Sequence, residues 1–287
     1  MTDNYGGDAP LSYNKYLKVR ELIDLQTCLS SPAQHNEMLF ITIHQTYELW
    51  FKQILHELDA AIAWMDKDDV FVATRALQRV VEIEKILVQQ IHILETMTPF
   101  GFLLFRDELR PASGFQSMQF REIEFVSGLR DEGIVRSFST DEFATPRLRA
   151  RFEGRTLHQS FFELLNRLGF DAPADDPTLS PEENGRRHGQ RIRAVVEILA
   201  NFEKHALVFE LQEAMIAHDE FFSLWRSHHI KMVERMVGFK RGTGGSEGVG
   251  YLQKTLQRKF FPELWDARTY LGPDASAGCP IDHSPVE

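Results

Sequence analysis

The sequence predicts an all-α protein, a single helical domain of long helices, and three observations carry that prediction. Long segments are dominated by Leu, Glu, Gln, Arg and Lys, which favour helix. Apolar residues recur at intervals of three and four, as on one face of a helix. Runs of β-branched residues are few, and no stretch alternates apolar and polar side chains with the period of two that marks a half-buried strand. With 287 residues, of which 43% are hydrophobic, the chain can bury a full core as one large domain or two small ones. No internal repeat occurs and neither half carries a self-contained pattern, which favours one domain.

Residues 1–12 are polar and Gly-rich and are expected to form a mobile N-terminal segment. From Tyr13 a helical spacing places Tyr13, Tyr16, Leu17, Val19, Leu22, Ile23 and Leu25 on related faces, and the two tyrosines, apolar rings with polar tips, suit an interface. After the Ser30-Ser31-Pro32 break, a strong helix is expected over 36–65. Asp68 and Asp69 precede another over 70–96, which Thr98-Pro99 is expected to close. Residues 110–117 form a loop by their Pro, Ser and Gly, leading into a helix over 118–129. The stretch 130–190 is the least regular and is expected to be a long surface excursion, with a Pro/Asp-rich linker at 172–181. Two long helices over 182–237, broken near 207–213, are followed by the loop Gly242-Thr-Gly-Gly-Ser-Glu-Gly248, a shorter helix, and one opened by Pro262. The helical domain thus spans 13–271, and 272–287 are expected to be a disordered tail.

Composition removes several function classes. A formal net charge of -10 and pI near 5.6 argue against a nucleic-acid or anionic-membrane partner, which needs a basic surface. No uncharged apolar stretch of about 18 residues occurs, and the N-terminus lacks the features of a secretion signal, so a cytoplasmic location is expected. Cys28 and Cys279 are the only cysteines, too few for a disulfide framework, a thiolate zinc site or a covalent haem attachment. Walker-type and dinucleotide-binding glycine motifs fail on spacing and context. No histidine follows a glutamate by three, so the Glu-x-x-His signature of di-iron bundles is absent. Gly244-Gly-Ser246-Glu-Gly248 spells a serine-nucleophile elbow, but a helix and loop precede it where a strand is required.

Three side chains stand out. At about 100° per residue, His44 shares its face of the 36–65 helix with Phe40, Tyr47, Phe51 and Leu55. It is either a core histidine bonded to a neighbouring turn or a polar group in an aromatic-walled pocket suited to a heteroaromatic N–H. The same construction separates two adjacent histidines. His229 lies with Phe222, Trp225, Met232, Val233 and Met236, whereas His228 turns toward Lys231 and Arg235. An apolar, Met- and Phe-lined surround suits an axial ligand to a buried porphyrin, or else a satisfied core histidine. Arg106, beside Phe102 and Phe105, is placed either to grip a carboxylate bidentately or to pair locally with an acidic neighbour.

Three motifs, taken together and in order, resemble the tryptophan 2,3-dioxygenase family. They are His35-Asn-Glu-Met-Leu-Phe-Ile-Thr-Ile-His44-Gln-Thr-Tyr-Glu-Leu-Trp-Phe-Lys-Gln-Ile-Leu-His-Glu-Leu; Phe105-Arg-Asp with Pro111-Ala-Ser-Gly-Phe-Gln-Ser117; and His229 through Gly238-Phe-Lys-Arg-Gly-Thr-Gly-Gly-Ser246. The resemblance covers residues 13–271. It implies an all-helical fold enclosing haem b, ferrous in the active state, and a homotetramer that adds O2 across the indole C2–C3 bond of L-tryptophan to give N-formyl-L-kynurenine. By motif match, His229 would be the axial iron ligand and His44 the distal histidine meeting the indole N–H. Arg106 would clamp the substrate carboxylate, Thr243 would meet the carboxylate and ammonium, and Phe40, Phe102, Leu109 and Gly114 would line the pocket. Tyr13, Tyr16 and Leu17 match positions that close a neighbouring subunit's site. Asn36 and Glu247 depart from the aspartate and serine of the family pattern, and neither carries an expected role. Relatives of this fold that oxygenate modified tryptophans or other aromatics in secondary metabolism provide an alternative, and a haem-binding sensor without turnover provides another.

Overall fold

Thirteen α-helices, with no strand among the described residues, run through the computed structural model, which describes residues 11–176, 178–238, 240 and 249–272. They are α1 (Tyr13–Leu17), α2 (Val19–Ile23), α3 (His35–Met65), α4 (Val70–Leu94), α5 (Pro99–Arg106), α6 (Met118–Ser127), α7 (Glu132–Ser137), α8 (Ala144–Glu153), α9 (Leu157–Arg167), α10 (Pro181–Ala200), α11 (Ala206–Val237), α12 (Val249–Lys254) and α13 (Pro262–Ala267). Of the predicted N-terminal mobile segment only Leu11 and Ser12 are described, and Ser12 caps α1 through the Lys15 amide. Beyond Gly272 the predicted tail lies outside the described residues.

The core is a three-helix stack in which α4 lies between α3 and α11. Its buried face, Ala73, Leu77, Val80, Leu87 and Ile91, repeats at three, four and seven, which aims one stripe at α3 and an adjoining one at α11. Helices α6 and α9 pack on α3, and α5 bridges the ends of α3 and α11. Gly101 permits that last approach, because a Cβ there would collide with the Asn36 amide.

Several buried polar groups pair across these contacts, as the low-dielectric interior favours. Ser127 of α6 meets His218 of α11 at 2.9 Å, and the other ring nitrogen of His218 meets Glu84 of α4 at 2.8 Å. Asp219 accepts from the Phe260 and Phe261 amides and from the Trp265 indole N–H, which seats α13. Glu263 of α13 takes Arg191 at 2.7 Å and also contacts His158 and His188, so α9, α10 and α13 share one carboxylate.

Four expected boundaries are corrected. The predicted 13–25 helix is two short ones, broken at Lys18, whose φ of 52° places it in the left-handed region. Thr98-Pro99 does not close α4, which ends at Leu94, but opens α5: the Thr98 hydroxyl accepts from the Gly101 amide, and proline at the first helical position loses no hydrogen bond. The break between the last long helices falls at 201–205, where the Asn201 side chain bonds the Glu197 carbonyl. The stretch 130–190 is not a surface excursion, since Leu157, Phe161, Phe162, Leu164 and Leu165 of α9 all belong to the core.

Candidate functional site

Helix α3 carries His44 on an exposed position. Phe40, one turn earlier, packs its ring 4.0 Å from the imidazole, and its carbonyl lies 2.7 Å from Nδ1. A carbonyl only accepts, so Nδ1 carries the proton and Nε2 of the neutral ring keeps its lone pair. Burial lowers the His44 pKa, with the Phe40 carbonyl and the Glu48 carboxylate pulling the other way. The ring is therefore accessible yet surrounded by enough protein to favour the neutral acceptor form.

Aromatic residues build the adjoining wall. Phe40, Phe102 and Phe105 form a triangle with ring centroids 5.3 to 5.8 Å apart, joining α3 to α5. Phe105 is fully buried, whereas Phe102 and Leu109 are half-buried. Arg106, the last residue of α5 and next in sequence to Phe105, is 8% exposed, so its side chain is withdrawn from bulk solvent. Gly114 opens a short 3-10 turn under a capping box from Ser113 and Gln116, and a Cβ added there would meet nothing within 4 Å.

His229 comes from the other side, on α11. Its ring stacks on Trp225, one turn earlier, at 5.0 Å and 11° between planes. Trp225 in turn packs against Tyr47, Phe120 and Phe222. Burial, with a contribution from charge on His44, holds the His229 pKa down at about 4. Among the described residues neither ring nitrogen of His229 has a hydrogen-bond partner. A neutral imidazole with an uncommitted lone pair is the donor that an axial iron ligand requires. His228 instead sets its ring edge-on to His92 at 5.5 Å.

The structure thus joins His44, Phe40 and Phe102 through ring contacts, buries Arg106 at the end of the same α5 that carries Phe102, and stacks His229 on Trp225 of α11. Thr243 lies outside the described residues. Tyr13, Tyr16 and Leu17 stand off the site of their own chain at 75%, 73% and 45% exposure. Sequence reasoning did not single out Glu48, Phe120 or a stacking role for Trp225. Trp225 was recoverable, because it precedes His229 by four on one helix face. The contacts of Glu48 and Phe120 cross between elements and have no local signature. The cavities elsewhere, of about 170 Å³ beside Ser223 and Trp265 and about 220 Å³ beside Gln78 and Glu210, include none of the predicted residues.

The family model for tryptophan 2,3-dioxygenase matches residues 2–160 and 187–271. The chain belongs to the tryptophan 2,3-dioxygenase family. Relatives bearing that name include one from Nocardioides sp., 42% identical over 284 residues, covering 94% of this chain and all of the relative. Another, from Herpetosiphon aurantiacus, is 43% identical over 91% of this chain and 98% of its own. A third, from Serratia proteamaculans, is 40% identical over 91% and 94%. The family match leaves out 161–186, where the end of α9, the linker and the start of α10 lie, although the α9 residues there are part of the core.

Proposed function

We propose that this member of the tryptophan 2,3-dioxygenase family adds both atoms of O2 across the indole C2–C3 bond of L-tryptophan, giving N-formyl-L-kynurenine and opening tryptophan catabolism. The observation that carries the reading is the pair of imidazoles in aromatic surroundings: His44 packs on Phe40 with one nitrogen committed to a carbonyl, and His229 stacks on Trp225 with neither nitrogen hydrogen-bonded among the described residues. The relatives' names specify tryptophan, and nothing in the site favours a modified substrate over it.

These residues fit haem b. His229, stacked on Trp225, would hold its iron, and the group would supply the binding and activation of O2. His44 accepts the indole N–H at Nε2 and so sets the ring's orientation. The overall reaction neither consumes nor releases a proton, and the nitrogen keeps its hydrogen in the formamide product. An acceptor that holds this hydrogen is therefore sufficient, and orientation is the contribution. Phe40 and Phe102 supply flat apolar walls, with Leu109 and Gly114 at the margin, and these exclude water. Arg106 pairs with the substrate carboxylate. A side chain already withdrawn from solvent gives up little hydration on binding, and an indole lacking the carboxylate would leave it without this partner. Thr243 completes the contact with the amino-acid end. Exposed Tyr13, Tyr16 and Leu17 support the further proposal of a homotetramer in which this segment closes a neighbour's site.

The test is spectroscopic. Protein expressed with haem available should show a Soret band that His229→Ala abolishes or shifts. Reduced protein given L-tryptophan and O2 should develop the near-ultraviolet absorbance of N-formyl-kynurenine. A Soret band indifferent to His229→Ala, or silence in turnover, overturns the reading.

A further inference from the structure

Glu48 is half-buried on α3, one turn after His44 and on the same side of the helix. Its carboxylate makes two cross-element bonds: Ser117 Oγ donates to Oε1 at 2.6 Å and Gln119 Nε2 donates to Oε2 at 2.9 Å. Gln119 Nε2 also reaches the Glu48 carbonyl at 2.8 Å. The Ser117 hydroxyl at the same time accepts from the Phe120 amide as the N-cap of α6. One carboxylate therefore fastens the first turn of α6 and the end of the 110–117 loop to the helix that carries His44.

This fastening connects the surroundings of His44 with those of His229. Upstream of Ser117 lies the 3-10 turn that begins at Gly114. Downstream, Phe120 packs on Trp225 at 5.3 Å, and Trp225 stacks on His229. Phe120 also touches Phe51 of α3 and Phe222 of α11. Hydrogen bonds to an ionised acceptor are stronger and shorter than neutral ones, so the anchor is stiff where the aromatic packing around it is adaptable.

We infer that Glu48 is a positioning residue for the reaction: by tying Ser117 and Gln119 to α3 it holds the 110–117 wall and the Phe120–Trp225 stack in register with His44. This rests on the functional reading above. The carboxylate touches neither the substrate nor the iron and acts through the segment it holds. Its negative charge also favours protonation of His44, so its removal changes both the wall and the basicity of the distal imidazole.

The test compares Glu48→Ala, Glu48→Gln and Ser117→Ala in the haem-loaded protein, with amide hydrogen exchange over 110–121 as a readout independent of turnover. Glu48→Ala removes both side-chain acceptors; KM for L-tryptophan should rise about tenfold, and kcat should change less, since charge-assisted bonds hold the substrate wall. Exchange over 110–121 should accelerate in the same variant. The amide introduced by Glu48→Gln can accept from Gln119 and donate to the Ser117 hydroxyl, so the conservative variant should recover most of the loss in both readouts. Ser117→Ala should fall between them. Unchanged exchange over 110–121 in Glu48→Ala overturns the inference whatever the protein oxidises. Faster exchange with no rise in KM also overturns it, because the held segment would then not be a substrate wall. A wild-type protein silent toward tryptophan, with exchange still accelerated in Glu48→Ala, would count against the functional reading and leave the anchor itself established.

Discussion

In the proposed function, recognition of an amino acid bearing an indole is divided between Arg106 and His44. If Arg106 holds the carboxylate, Arg106→Leu should raise KM for L-tryptophan by about a hundredfold, the order expected for losing a charge-assisted, desolvated pair, and should barely alter KM for an indole without the carboxylate. Steady-state kinetics on the two substrates decide it, and equal effects would dismiss the clamp. His44 must be neutral to accept the indole N–H. Burial lowers its pKa from 6.5, so kcat/KM should be flat near neutrality and fall on the acid side with a midpoint below 6.5. The same sign governs stability, for a histidine that is harder to protonate when folded weakens the folded state as pH drops below its unfolded value. At this scale the sequence was informative. The helical wheel put His44 beside Phe40 and His229 beside Trp225, and both pairs are in ring contact. The partner of Glu48 was not legible, because Ser117 lies far along the chain and nothing local predicts which loop returns to that turn.

The long helices were legible as elements because their apolar stripes repeat many times over, and α3 and α4 begin within a residue of their expected starts. Short helices without such repetition were not. Helix α9 carried a readable start, Thr156 and Gln159 in a reciprocal capping box, yet its place in the core depends on which neighbours it meets. The break at Lys18 had no glycine, asparagine or proline to announce it. Helix α13 shows how a short element is held by polar anchoring. Burial alone would push the Glu263 pKa up, but hydrogen bonds from His158 and His188, and charge on His158 and Arg191, hold it well below the usual carboxylate range. The Asp219 carboxylate accepts from three N–H donors, the Phe260 and Phe261 amides just before the helix and the Trp265 indole within it. Asp219→Ala would orphan all three and should destabilise the protein by about 3 kcal/mol, read as a lower denaturant midpoint, whereas an unchanged midpoint would show that water replaces the anchor at no cost.

For the whole molecule, what stands out is apolar surface left uncovered among the described residues of one chain. Leu11, Tyr13, Tyr16, Leu17 and Ile23 expose large side chains along the first two helices, which is costly unless another surface meets them. If that surface belongs to a neighbour's site, deleting residues 1–18 should reduce turnover by about tenfold or more while the Soret band persists, since a lost wall costs orientation and leaves the iron ligand in place. Undiminished turnover would assign the segment some other duty. Among the described residues no helix is long and apolar enough to cross a membrane.

Helix α4 supplies none of the proposed ligands, yet it stands between the helices that carry the two imidazoles, with Leu77, Val80 and Leu87 almost fully enclosed. It acts as a gauge block: the bulk of its side chains sets how far apart the jaws stand. Packed interiors transmit a change of a single methylene rather than absorbing it. The tolerance of this enzyme is therefore written partly in a helix that no ligand touches, and inherited variation there should tune what fits between the jaws before it unfolds the protein.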